Sequence, residues 1–354
     1  MENVSEVVAA RLRLMGVDRV YGTSGLAVDP LIGALRGAPT APGFVQARGE
    51  ESAALMACAQ AKLSGGLGCC VAPPGARALR LLGGLYDAAA DRAPVPALVG
   101  ADPAARHIGG HAVRHLAEVC VYCEEVSGPE LMDDALHRAV RAALTDRGAA
   151  SLVVPRHVLA APAPGAPPAA RPVPPPPRPP AAKDLRRAAD VLDGAGKALV
   201  VVGNAGRPAS RQVVEVARLL GAGVATTGLA RDALPDDLPC LAGVAGPLGS
   251  EAAATLPGEC DTLLLAGAED LDPAVLPGPG RCRIVAVDRE PDDCPLEGGA
   301  PAVRVTGDVT ACLEALAPLL RPPPTAPGAP GSSGSSGPGG TRGRPGPAAT
   351  SVRR

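Results

Sequence analysis

Short, almost continuously apolar runs alternate with helix-spaced patterns along residues 1–160 and again along 183–320, and this alternation leaves few folds open. A strand that is apolar on both sides must be covered on both faces, which is the condition of a parallel sheet packed between helices. In the first region Val4, Val7, Val8, Leu12 and Met15 fall at helical spacing, with Gly16 as the stop. Strands are predicted at Val20-Tyr21, Phe44 to Gln46, Gly68 to Ala72, Val95 to Val99 and Ser151 to Val154. Helices are predicted up to Leu35, then over Glu50 to Leu63, Ala78 to Ala90 and Leu131 to Leu144. In the second region Asp184 is placed as the cap of a helix from Leu185 to Leu192, and Asp308 as the cap of one ending near Leu320. Strands at Ala198 to Val202, Val224 to Thr227, Thr262 to Ala266 and Arg283 to Val287 accompany them, with a further helix from Arg211 to Leu220. The expected fold class is α/β: two doubly wound parallel-sheet domains, at 1–160 and 183–320. Residues 161–182 read as a Pro- and Ala-rich semi-rigid linker. Residues 321–354 read as a disordered tail, because Pro, Gly and Ser cannot bury enough surface to offset their ordering entropy.

Composition narrows the function. Hydrophobic residues make up 46% of the 354, but aromatics only 1%, so the cores must be built from Ala, Val and Leu. A net charge of −2 without a basic run, and the near absence of stacking side chains, argue against nucleic acid as a partner. No apolar run reaches the ~18–20 residues of a membrane span. Met1 is followed by Glu2 and a helical pattern rather than a secretory signal, and the ten cysteines are scattered, so a reduced cytoplasmic setting is expected.

The stretch from Gln46 to Gly100 is the most informative. It holds Arg48-Gly49-Glu50-Glu51-Ser52-Ala53-Ala54, Ala61-Lys62-Leu63-Ser64-Gly65, Gly84-Leu85-Tyr86-Asp87 and Pro94-Val95-Pro96-Ala97-Leu98-Val99-Gly100. These residues resemble the pyrimidine-binding domain of thiamine-diphosphate enzymes, and are most similar to pyruvate oxidase and the quinone-linked pyruvate dehydrogenase. The resemblance continues through Tyr122 to Ser127, Asp146-Arg147-Gly148, Gly246-Pro247-Leu248-Gly249 and Val287-Asp288. It implies that Glu50 is the catalytic acid that bonds the aminopyrimidine and favours its imino tautomer, so that the thiazolium carbon can lose its proton and attack a 2-keto acid. It further implies cofactor-binding positions at Gly25, Glu50, Gly75, Ala76 and Arg77. In the resembled oxidases the second domain holds FAD, which would fall at Gly203, Gly246 and Asp288; related synthases, acetolactate synthase among them, use that domain mainly as scaffold. Read without the resemblance, Glu50 is an ordinary acidic residue at a helix start, favoured by the macrodipole.

The chain departs from the family pattern in four places. Gly49 stands where the family has His. Gly75-Ala76-Arg77 replaces a Gly-Pro-Gly turn, and Arg77 brings bulk and charge where the cofactor ring passes. Ile108-Gly109-Gly110-His111 runs quickly into Ala117-Glu118, without the family's Phe-Gln pair. The family's diphosphate motif, Gly-Asp-Gly followed by Asn, which holds Mg²⁺, has no counterpart after Leu320. The expectation is a pseudoenzyme that is inactive alone. It would be completed by a partner, as a homodimer or as a heterodimer with a protein carrying the diphosphate-binding domain. Two alternatives stay open: a non-catalytic scaffold that pairs with a full-length relative, and an FAD or nucleotide module centred on the second domain.

Weaker motifs remain. Cys120-Val121-Tyr122-Cys123 is a lone C-x-x-C, which reads as a redox pair or as small core residues. His107, His111 and His115 are four apart, but Gly109 and Gly110 weaken a helix there, and no metal site is assigned. Gly203-Asn204-Ala205-Gly206 follows a strand and opens a helix, the position of a dinucleotide phosphate, without the full glycine fingerprint.

Overall fold

The computed structural model describes residues 2–101, 112–165, 179–247, 249–278, 280–290 and 302–321. The Ile108–His111 segment with His107, Leu248, most of the Pro-rich stretch and the tail from 322 lie outside the described residues.

Asn3 starts the first helix with a capping box: its side chain accepts from the Glu6 amide, and the Glu6 carboxylate accepts from the Asn3 amide at 2.8 Å. The first unit then runs α1 (Val4–Leu14), β1 (Arg19–Gly22), α2 (Asp29–Gly37), β2 (Gly43–Gln46), α3 (Glu50–Ser64), β3 (Cys69–Ala72), α4 (Ala76–Leu79), α5 (Leu82–Ala90) and β4 (Val95–Ala101). It continues through α6 (Ala112–Ala117), β5 (Tyr122–Glu125), α7 (Met132–Ala142), β6 (Ala149–Pro155) and α8 (Arg156–Ala160). The second unit runs α9 (Ala182–Asp193), β7 (Ala198–Val202), α10 (Ser210–Leu220), β8 (Gly223–Thr226), β9 (Leu241–Val244), α11 (Glu251–Glu259), β10 (Thr262–Ala266), β11 (Arg283–Asp288), β12 (Val303–Thr306) and α12 (Val309–Leu316).

Each unit is built on a six-stranded sheet, ordered β2-β1-β3-β4-β6-β5 in the first and β12-β11-β10-β7-β8-β9 in the second. Every pair of neighbouring strands is parallel, and apolar clusters lie on both faces of each sheet. The expected α/β class with two doubly wound parallel sheets is therefore what the chain adopts.

Three strands escaped the sequence reading, β5, β9 and β12, and all three are sheet edges. An edge strand is covered on fewer sides and does not need a continuous apolar run, and Tyr122-Cys123-Glu124-Glu125 has none. The helix predicted from Ala78 to Ala90 is broken. Arg80 and Leu81 donate to Arg77 and Ala78 three residues back, which tightens the turn and separates α4 from α5. Asp184 does not cap α9; the helix starts earlier, at Ala182, and Asp184 lies in its first turn, where the dipole still favours it. Asp308 does cap α12, its side chain accepting from the Ala311 amide.

With almost no aromatic side chains, the helices approach the sheet and each other closely. Ala53, Ala54, Ala57, Cys58 and Ala61 of α3 are at most 2% exposed. Gly84 of α5 lies against them so tightly that a Cβ there would stand 2.6 Å from Ala54 Cβ and 2.7 Å from the Leu55 nitrogen. This seam fixes α3, and α3 positions Glu50 at its first residue.

Candidate functional site

In the first sheet the chain leaves β1 toward β2 on one side and β3 toward β4 on the other, although β1 and β3 are hydrogen-bonded neighbours. Such a switch point opens a crevice at the carboxyl ends of the two strands, where α/β folds bind ligands. Thr23-Ser24-Gly25 follow β1 and Pro73-Pro74-Gly75 follow β3. Gly75 has φ +74°, a backbone conformation that side chains with a Cβ rarely adopt, and it turns the chain into α4. Gly25 sits beside it: its amide donates to Asp29 Oδ1 at 3.0 Å, and a Cβ on it would lie 3.3 Å from Arg77 Nη1. Five of the predicted site residues, Gly25, Glu50, Gly75, Ala76 and Arg77, thus converge on this crevice.

Their geometry is specific. Glu50 is 2% exposed. Its Oε1 accepts from Thr23 Oγ1 at 2.7 Å and from Arg77 Nε at 2.6 Å, while Arg77 Nη1 donates to the Ser24 carbonyl at 3.0 Å. Arg77 thus forms an ion pair with Glu50. Burial opposes the charge on Glu50, but the Thr23 hydroxyl, the helix-start amide and the Arg77 guanidinium more than offset it. The carboxyl is held below its ordinary value of 4.5. Thr23 carried no motif, and sequence reasoning passed over it as a turn residue. The one signal available was its place directly after an apolar strand.

The second sheet has its own switch point, between β7 and β10. Gly203, Gly246 and Asp288 follow or end β7, β9 and β11, so they share one edge of the sheet without meeting. At ~4.8 Å per strand, Gly203 and Asp288 are about 10 Å apart across it. The Gly203–Gly206 turn forms a short 3₁₀ segment, Asn204–Ala209, and not an open phosphate cradle. The Asn204 amide donates to Asp270 Oδ1 at 3.0 Å, and the Ala205 amide donates to the Gly267 carbonyl at 3.1 Å and to Glu269 Oε2 at 3.3 Å. Both amides that would grip a phosphate are therefore taken by the protein, partly by acids that repel one. Asp288 is 1% exposed.

Cys120 and Cys123 are not activated thiols: burial pushes them up to about 12 and about 11, and Cys123 Sγ lies 3.6 Å from the Val113 carbonyl. His115 lies on α6, whereas His107 and His111 fall outside the described residues. Among the described residues no helix is long and apolar enough to cross a membrane.

Residues 2–118 match the profile of the thiamine pyrophosphate enzyme N-terminal TPP binding domain, and residues 185–316 match that of the thiamine pyrophosphate enzyme central domain. YdaP of Bacillus subtilis (strain 168), named for containing thiamine pyrophosphate, is 32% identical over 273 residues, which is 75% of this chain and 47% of that protein. An uncharacterized 42.6 kDa protein of Pseudomonas amyloderamosa is 32% identical over 328 residues, 90% of this chain and 81% of its own. Pyruvate oxidase of Lactiplantibacillus plantarum is 39% identical over 89 residues, 25% of this chain and 15% of the oxidase. Acetolactate synthases are similar over as much as 90% of the chain. The chain thus spans about half the length of YdaP and most of the Pseudomonas protein.

Proposed function

Since the chain belongs to the thiamine pyrophosphate enzyme family, we propose that it keeps that family's pyrimidine-binding crevice in a closed form and acts as a non-catalytic partner subunit of a relative that decarboxylates 2-keto acids. One observation carries this reading: the activating acid, Glu50, is engaged by Arg77. An aminopyrimidine needs that carboxyl free to bond its ring nitrogen and to share a proton with it. Here Oε1 has two donors, one a guanidinium, and the charge beside it favours the ionised form over the proton-carrying one. As they stand, the residues do not fit the cofactor ring, and no catalytic step is derived through it. Thiamine diphosphate, when bound in this family, supplies the electron sink for decarboxylation. The Mg²⁺ that accompanies it would have to be held by groups outside the described residues. A flavin would have to be held elsewhere than at the Gly203–Gly206 turn, whose amides are occupied.

The partner would meet the outer face of α3 and α5. Leu55, Met56 and Leu63 on α3 and Tyr86 on α5 are exposed, with Leu63 at 80% and Tyr86 at 68%. Large exposed apolar side chains are the material of an interaction surface. A homodimer or a heterodimer with a relative that brings the diphosphate-binding domain would cover them.

The reading is tested by calorimetry with thiamine diphosphate and Mg²⁺. In the presence of a relative that carries the diphosphate-binding domain, the wild-type chain is expected to add no binding heat, and Arg77→Gly is expected to bind. Micromolar binding by the wild type, weakened by Glu50→Gln, would mean that the ring displaces Arg77 and that the site is a working one, which overturns the proposal.

A further inference from the structure

Cys260 and Cys282 meet at the start of the second sheet, away from both switch points. α11 ends at Glu259, and Cys260 leaves it in an extended conformation, two residues before β10. Cys282 directly precedes β11. β10 and β11 are paired from Thr262 and Arg283 onward, and the Arg283 amide donates to the Asp261 carbonyl at 2.9 Å. The backbone register therefore brings both cysteines to one rim, with their sulfurs 3.7 Å apart. Cys260 is 9% exposed, its Sγ 3.2 Å from the Pro257 carbonyl, and Cys282 is partly exposed.

Burial disfavours the thiolate at five other cysteines. Burial pushes Cys58, Cys69, Cys120 and Cys312 up to about 12, and Cys70 well above its ordinary value. Cys260 moves the other way, the largest cause being the hydrogen bond it shares with Cys282, in which either sulfur can be the donor. A cysteine sulfur with a second one in contact is the arrangement that traps an oxidised sulfur as a disulfide.

We propose that Cys260 and Cys282 form a reversible redox-modification site on the central domain, closed by hydrogen peroxide and reopened by thiol reductants. The Cys260 sulfur attacks one peroxide oxygen. An S–O bond forms, the O–O bond breaks, and the departing hydroxide takes a thiol proton and leaves as water. The Cys282 sulfur then attacks the Cys260 sulfur. The S–S bond forms, the S–O bond breaks, and the second hydroxide leaves with the remaining thiol proton. Two thiols lose two electrons and two protons, and the peroxide becomes two waters. The sulfurs must close by about 1.7 Å to bonding distance, which side-chain rotation supplies.

The test treats the full chain with hydrogen peroxide, caps the remaining thiols with iodoacetamide and maps peptides by mass spectrometry. Expected is a linked pair of peptides carrying Cys260 and Cys282, lighter by two hydrogens, absent after dithiothreitol, with the melting temperature higher in the oxidised form. In Cys282→Ser the sulfenic acid should persist on Cys260 and be captured by dimedone. Thermal melts of both single Cys→Ser variants confirm that they are folded. Full alkylation of both thiols after peroxide treatment, a link joining Cys120 to Cys123 instead, or unchanged oxidation of Cys282 in Cys260→Ser would each overturn it.

Discussion

Arg77 Nε lies 2.6 Å from Glu50 Oε1, and the two side chains differ sharply in setting: the carboxylate is 2% exposed and the guanidinium 44%. The acid cannot reach water without its partner, whereas the base can. Glu50→Gln and Arg77→Ala should therefore couple in a double-mutant cycle by about 1–2 kcal/mol, below the value of a fully buried pair because Arg77 is screened. Urea denaturation of the four proteins measures it. Coupling near zero would mean that the pair does not form in solution.

The pair also has a pH signature. The Glu50 carboxyl is lowered in the fold, so the unfolded chain binds more protons as the medium turns acid. Its contribution is fully present above the unfolded value, near 4.5, and is lost as pH falls through the folded one. The stability gap between wild type and Arg77→Ala should be wide at neutral pH and should close as pH falls below 4.5 and through the lowered folded value. Denaturation midpoints across that range check this, and a gap independent of pH would remove Glu50 as its source.

Pyruvate supplied with thiamine diphosphate and Mg²⁺ should give no carbon dioxide above background with this chain alone. Manometric or coupled detection is sufficient. Release that disappears in Glu50→Gln would show that the acid works despite Arg77.

The α3–α5 face should hold a dimer burying at least ~1,000 Å². Sedimentation at micromolar concentration should give two copies for the wild type. Leu63→Glu combined with Tyr86→Glu should give one copy without loss of helical signal, since both side chains are exposed. A wild type that sediments as a monomer contradicts the surface assignment.

Gly84→Val should destabilise the first unit by about 1–3 kcal/mol, because the added Cβ meets Ala54 Cβ and the Leu55 backbone nitrogen. Thermal melts report it. Gly33→Ala on α2, where a Cβ meets nothing within 4 Å, is the control and should be neutral or slightly stabilising.

What the sequence made legible follows burial. The inner strands β3, β4 and β7 are apolar throughout, and β1 and β10 are apolar after Arg19 and Thr262, and these runs alone made them legible. The edges β5, β9 and β12 answer to fewer neighbours and left a weaker imprint. At the site, Glu50 and Arg77 were legible because a resemblance supplied their positions and a departure from it drew attention to Arg77. Thr23 was not, since a hydroxyl that bonds a buried acid looks the same in a sequence as one that faces water. The carboxylates of Glu269 and Asp270 were equally silent, because their meeting with the Gly203–Gly206 amides depends on β7 and β10 being neighbours, a long-range fact.

The outward placement of Tyr86 on α5 has an optical consequence. The chain has no tryptophan and three tyrosines. Tyr21 is enclosed at 8% exposure, and the Tyr122 hydroxyl is tied to Glu124 and Arg138. Tyr86, at 68%, is the solvent-facing emitter among them. Its fluorescence is a built-in, label-free gauge of whether the α3–α5 surface is wet or covered, readable at concentrations far below those sedimentation requires.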